Sequence, residues 1–148
     1  MVKEIVKDIE VLKNSCGSIK YNEEICKQII IDLKDSAKYY AENHSDGCAG
    51  LAANQIGYNN RVIICSLKHH NGRVWKTMIN PVISKRSRET HISIEGCLSL
   101  DGKREVLRYN AITVIYTDEY GKAKKESYIG FDACVIQHEI DHLNGKLI

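Results

Sequence analysis

The sequence predicts an α+β fold: antiparallel β-sheets around a central C-terminal helix carrying H-E-x-x-H, with one long N-terminal helix. Three observations lead to it. An apolar stripe with helical spacing occupies residues 23–43. Short β-branched runs bounded by turn formers fill residues 61–129. A helical pattern then returns at Phe131–Leu143.

In the first of these, Ile25, Cys26, Ile29, Ile30, Leu33, Ala37, Tyr40 and Ala41 recur three and four residues apart, so one face of a helix from about Glu23 to Asn43 is apolar. Asn22 is the expected N-cap, and Glu23 and Glu24 suit the positive end of the helix dipole. Asn43-His-Ser-Asp-Gly47 breaks the pattern. Strands are expected at Val62–Leu67, Val74–Ile79, Val82–Lys85, Thr90–Ile94 and Ala111–Thr117. Asp118-Glu-Tyr-Gly121 reads as a hairpin turn into Ala123–Ile129, and Asn144-Gly145 as the stop of the last helix. With no internal repeat, no linker-like stretch and a single proline, Pro81, residues 1–148 are expected to form one catalytic domain.

Composition narrows the function. The apolar share of 43% and charged share of 27% are those of a globular chain, and a net charge of +2 without blocks of like charge points to neither specific nucleic-acid binding nor a membrane surface. The short basic runs 85–88 and 122–125 read as solvated strand ends. No apolar stretch approaches the roughly 18–20 residues of a membrane span. The first ten residues interleave apolar and charged side chains, unlike a secretory signal, so the cytoplasm is the expected compartment. The six cysteines include no Cys-x-x-Cys pair. Free thiols or metal thiolates are therefore expected, most of them small core residues.

Chemistry concentrates at His138-Glu139-Ile140-Asp141-His142. Residues four apart on a helix lie about 40° from full register, so both imidazoles project from one face and can share one divalent metal. Glu139, about 100° round from His138, can reach a water beside that metal without being a ligand. The bland alternative is a surface helix with chance histidines. Apolar Cys134, Val135 and Ile136 weaken it, because they place the helix in the core, where such histidines would need partners. A hydrolytic site needs a third protein ligand, and nothing after Leu143 supplies His, Cys, Asp or Glu. Upstream, Cys97 in Glu95-Gly-Cys-Leu-Ser99 is the best candidate: a thiol beside glycine at a strand end can approach a metal closely. By itself Cys97 would read as a small buried residue. A third segment, Gly50-Leu-Ala-Ala-Asn-Gln-Ile-Gly57, offers small residues and the Gln55 amide as an oxyanion donor, or equally a tight turn packed on the core.

Together Gly50-Leu-Ala-Ala-Asn-Gln55, Glu95-Gly-Cys-Leu-Ser99 and Gln137-His-Glu-Ile-Asp-His142 resemble the peptide deformylase family, whose segments read G-x-G-[LM]-A-A-x-Q, E-G-C-L-S and Q-H-E-x-D-H. The resemblance implies that Cys97, His138 and His142 bind the metal and that Glu139 serves as general base, then acid. It implies further that Gln55 and the Leu98 N–H stabilise the oxyanion, that Gly50 and Gly96 pair with the substrate main chain, and that Glu95 is an anion held by Arg104 or Arg108. The implied substrates are N-formylmethionyl nascent peptides, met near the ribosome exit region. The implied cofactor is one divalent ion, natively Fe2+, with Zn2+, Ni2+ or Co2+ able to replace it. A thiolate ligand suits Fe(II) and leaves the centre open to oxidation. The sequence departs from the family pattern at Cys48, which replaces a glycine, and at Asp101-Gly102, where a proline is usual. The segment between there and Arg108 reads as one residue shorter, and the chain stops without the C-terminal extension of many members. Two competing readings are an H-E-x-x-H metallopeptidase cutting internal bonds, which lacks its usual downstream ligand, and a deformylase-like protein that binds metal or peptide without turnover.

Overall fold

Every residue from 1 to 148 is described in the computed structural model. Its elements run α1 (Ile9–Leu12), α2 (Glu24–Asn43), β1 (Gly50–Ala52), a 3-10 turn (Ala53–Ile56), β2 (Val62–His69), β3 (Gly72–Arg86), β4 (Thr90–Cys97), β5 (Leu100–Tyr109), β6 (Ala111–Thr117), β7 (Ala123–Ile129) and α3 (Gly130–Leu143). One sheet has the order β1-β2-β3-β6-β7 and the other is the β4-β5 pair, antiparallel throughout. The expected α+β architecture is the one found. No helix is long and apolar enough to cross a membrane.

The apolar run Val62-Ile-Ile-Cys65, resumed at Leu67, is explained by β2 facing a helix on each side. Ile63, Cys65 and Leu67 join the cluster built on α3 by Ala133, Val135, Ile136, Ile140 and Leu143. Val62 and Ile64 join the cluster under α2, with Cys26, Ile29, Ile30, Leu33 and Ala37. Because α3 is held from several sides, its ten buried residues include polar Gln137, His138, Glu139 and His142. It ends in a Schellman motif: Gly145 N–H donates to the His142 carbonyl at 3.0 Å and Lys146 N–H to that of Asp141 at 2.8 Å. Gly145 has φ +74°, and a Cβ there would stand 2.2 Å from the Lys13 carbonyl oxygen. The stop therefore needs glycine twice over.

Several expectations are corrected. Val74–Ile79 and Val82–Lys85 are one strand, β3, whose register against β6 shifts between Ile79 and Val82. Pro81 sits at that irregularity, which spares the ladder a missing N–H. Asn80 beside it takes φ +50°, and its side-chain amide clasps the backbone of Ile19 from both ends. The N-cap of α2 is Glu23, without a side-chain capping bond, and not Asn22. Strands β1 and β5 and the single turn α1 went unforeseen. All six cysteines are free thiols; four are buried, and Cys48 and Cys97 are half-buried.

Candidate metal centre

Helix α3 projects His138 and His142 from one face, one turn apart, with their Nε2 atoms 3.2 Å from each other. The end of β4 brings the Cys97 Sγ to 3.3 Å from His142 Nε2. The three ligand atoms all lie within 4.8 Å of one another. Two imidazole lone pairs at such a separation repel unless a proton or a cation stands between them. Burial, with the charge of His138 adding to it, pushes His142 down to about 3. Burial also works against a proton on His138, but hydrogen bonds to Cys97 and Glu95 outweigh it and hold that imidazole up at about 10. Without metal, then, the pair carries one proton, which a divalent ion would displace. The His138 Nδ1–H is directed at Glu95 Oε1, 2.8 Å away, so Nε2 is the nitrogen whose lone pair faces the ligand cluster once the extra proton is displaced. One sulfur and two imidazole nitrogens beside an open cleft fit a divalent transition metal with room for a further ligand.

Glu95 is itself held. Arg108, almost fully buried, grips it with Nε at 2.9 Å and Nη2 at 2.7 Å, and reaches Asp141 with Nη1 at 2.6 Å. Burial raises the Glu95 carboxyl, but the bonds from Arg108 and His138 outweigh it and bring it to about 2. Arg104 stands directly opposite Glu95 in the β4–β5 register, yet it donates to the Asp101 carbonyl at 3.3 Å. The partner of Glu95 is therefore Arg108.

The 3-10 turn sets Gln55 next to the thiol. Its Oε1 accepts from Ala52 N–H at 3.0 Å, which orients the amide so that Nε2 faces Cys97 Sγ at 3.4 Å and Ser99 Oγ at 3.2 Å. Glu139 is buried, and its Oε1 has no hydrogen-bond partner among the protein atoms. Burial pushes its carboxyl up to about 7, with the charge of His138 pulling the other way. A Cβ on Gly50 would come within 2.9 Å of Glu139 Cγ and Oε2, so only glycine leaves that carboxylate its place.

These groups open into a cleft of about 500 Å³, lined among others by Gly50, Gln55, Gly96, Cys97, Leu98, His138 and Glu139. His142 stands outside the lining, buried. Cys48, in place of a glycine, also lines the cleft and donates its thiol to the Gly50 carbonyl at 3.2 Å. Burial and the nearby Glu139 push that thiol up to about 12, so it stays protonated. The structure thus gathers every residue singled out from the sequence except Arg104, which turns to the Asp101 carbonyl. Three more went unassigned: Ser99 beside Gln55, Asp141 on Arg108, and Gln137, whose amide clamps the Tyr109 backbone at 3.0 Å through both its oxygen and its nitrogen. All three fall inside the conspicuous segments, which was the available signal.

Comparison with known proteins shows the family of the chain. The family model described as polypeptide deformylase matches residues 2–148. A peptide deformylase of Clostridium beijerinckii is 38% identical over 148 residues, covering 100% of both chains. Among solved structures, a probable peptide deformylase from Synechococcus phage S-SSM7 is 34% identical, with TM-score 0.83, covering 99% of this chain and 95% of that one. A class I type b peptide deformylase from Acinetobacter baumannii, bound to Met-Ala-Ser, is 28% identical with TM-score 0.85, covering 99% and 97%. The chain belongs to the polypeptide deformylase family, the metal-dependent hydrolases that remove the formyl group from the N-terminus of new polypeptides.

Proposed function

We propose that residues 1–148 act as one catalytic domain in which Cys97, His138 and His142 hold a single divalent ion, natively Fe2+, with Zn2+, Ni2+ or Co2+ able to replace it. The observation that carries this reading is the convergence of the three donor atoms within 4.8 Å, beside the donor face of Gln55. When bound, the ion supplies positive charge that lowers the pKa of water from about 15.7 towards 7 and polarises the formyl oxygen. Glu139 takes the proton of the attacking water and delivers it to the amine as the C–N bond breaks, giving formate and a free N-terminal methionine. A carboxyl near 7, buried and without a competing partner, is suited to both halves of that task. Gln55 Nε2 and the Leu98 N–H donate to the oxygen on which charge develops. Gly50 and Gly96 leave the main chain bare for an extended peptide. The Met-Ala-Ser held by the Acinetobacter baumannii relative has the chemistry of the product this reading assigns. A formylated N-terminus marks a new chain, so the working place we assign is the cytoplasm, near the ribosome exit.

X-ray absorption on the metal-loaded protein tests the ligand set. One sulfur and two nitrogens from protein are expected, with the sulfur and most of the metal lost in Cys97→Ala. A sulfur-free shell, or full metal content in that variant, would contradict it.

A further inference from the structure

Away from the three metal ligands, the same cleft wall carries a second reactive arrangement. Cys134 on α3 lies with its Sγ 3.4 Å from His91 Nε2, and His91 Nδ1 lies 2.6 Å from Asn110 Oδ1. An amide oxygen can only accept, so the His91 Nδ1–H donates to Asn110 and Nε2 is left as the acceptor of the Cys134 S–H. Thiol, imidazole and orienting amide therefore stand in the order that nucleophilic cysteine sites use. His91 comes from β4 and Asn110 from the turn between β5 and β6, while Cys134 lies one helical turn before His138. Cys134 lines the catalytic cleft between Phe131 and His138 on one face of α3. Burial pushes its pKa up, so at rest it is a neutral thiol that needs a base as it reacts. The remaining buried thiols, Cys16, Cys26 and Cys65, have no imidazole bonded to sulfur.

We propose that Cys134, with His91 as its base and Asn110 holding that base, is a modification site for low-molecular-weight disulfides at the wall of the cleft. The thiol proton passes to His91 Nε2 as the sulfur attacks one sulfur of the disulfide. The Cys134–S bond forms, the S–S bond breaks, and the departing thiolate takes the proton from His91. The protein gains a mixed disulfide and the reagent is reduced to a thiol. The group left on Cys134 projects between Phe131 and His138, where it blocks the peptide's path, and a free thiol reverses the change. This consequence for turnover rests on the proposed use of the cleft; the thiol chemistry does not.

The test is cystamine added to the metal-loaded protein, read by peptide mass spectrometry at each cysteine and by formate release. Modification of Cys134 is expected ahead of Cys65, falling about 10²-fold in His91→Phe, the loss typical when a positioned base is removed. Turnover should fall in step and return with added thiol. In Cys134→Ser, whatever its own starting rate, cystamine should cause no loss. Labelling of Cys134 no faster than Cys65, or a rate untouched in a His91→Phe protein of normal metal content, would overturn the thiol site. Labelling of Cys134 without loss of turnover would overturn its place in the peptide's path and leave the chemistry standing. Loss that persists in Cys134→Ser would place the sensitive sulfur elsewhere and overturn the control.

Discussion

Glu139 and Gln55 meet the centre in different ways, and the difference separates their expected variants. Glu139 is directed at no ligand atom and pairs with nothing, so Glu139→Ala should keep the metal and lose about 10²–10⁴-fold in kcat. Undiminished formate release at saturating substrate would remove Glu139 from proton transfer. Gln55 is fixed by the Ala52 N–H, with its donor face towards Cys97, and the role we propose for it lies where charge builds on the formyl oxygen. Gln55→Leu keeps the bulk and should lower kcat by roughly 10²–10³ with little change in KM. If Gln55 merely packs the 3-10 turn, the same variant would alter stability and leave kcat near normal. Metal content measured on the same preparation keeps the two explanations apart. Cys48 was legible only as a departure; its bond to the Gly50 carbonyl needed the structure.

Among the elements, β4, β5 and α3 are tied at the site by one chain of charge, buried at His138 and Arg108 and half-buried at Glu95 and Asp141. The folded Glu95 carboxyl stands near 2, below its ordinary value of 4.5, because the bonds from Arg108 and His138 outweigh burial. A lowered pKa stabilises the fold fully above about 4.5, and that contribution is lost as pH falls through about 2. In metal-free protein, the gap in thermal midpoint between the wild type and Glu95→Gln should therefore narrow as pH falls from about 4.5 to 2. A gap constant over that window would contradict the assignment. Sequence periodicity revealed α2, β2, β6, β7 and α3 because each buries a regular face. It missed β5, where Leu100-Asp-Gly-Lys-Arg-Glu-Val-Leu-Arg-Tyr109 pairs only with β4 and stays largely exposed, so no apolar alternation marks it. The choice between Arg104 and Arg108 was closed to sequence for a related reason. Register puts Arg104 opposite Glu95, and only the three-dimensional reach of Arg108 decides the pairing.

For the molecule as a whole, the sheet, backed on its other face by α2, serves to bury α3, and burial is what makes the centre. It strips His142 of its proton, raises Glu139 towards neutrality and makes the Glu95–Arg108 pair strong enough to orient His138. The cluster of Cys97, His138 and His142 was legible from spacing and elimination. Their electrostatics were not, because a pKa depends on what the whole fold packs around a group. The reaction proposed is hydrolysis of a formyl group rather than of an internal peptide bond. Anaerobically prepared ferrous protein incubated with formyl-Met-Ala-Ser, with products followed by mass spectrometry and formate assay, tests it most directly. Formate and Met-Ala-Ser are expected in equal amounts, with both peptide bonds intact. Shorter fragments, or a metal-replete protein that releases no formate, would contradict it.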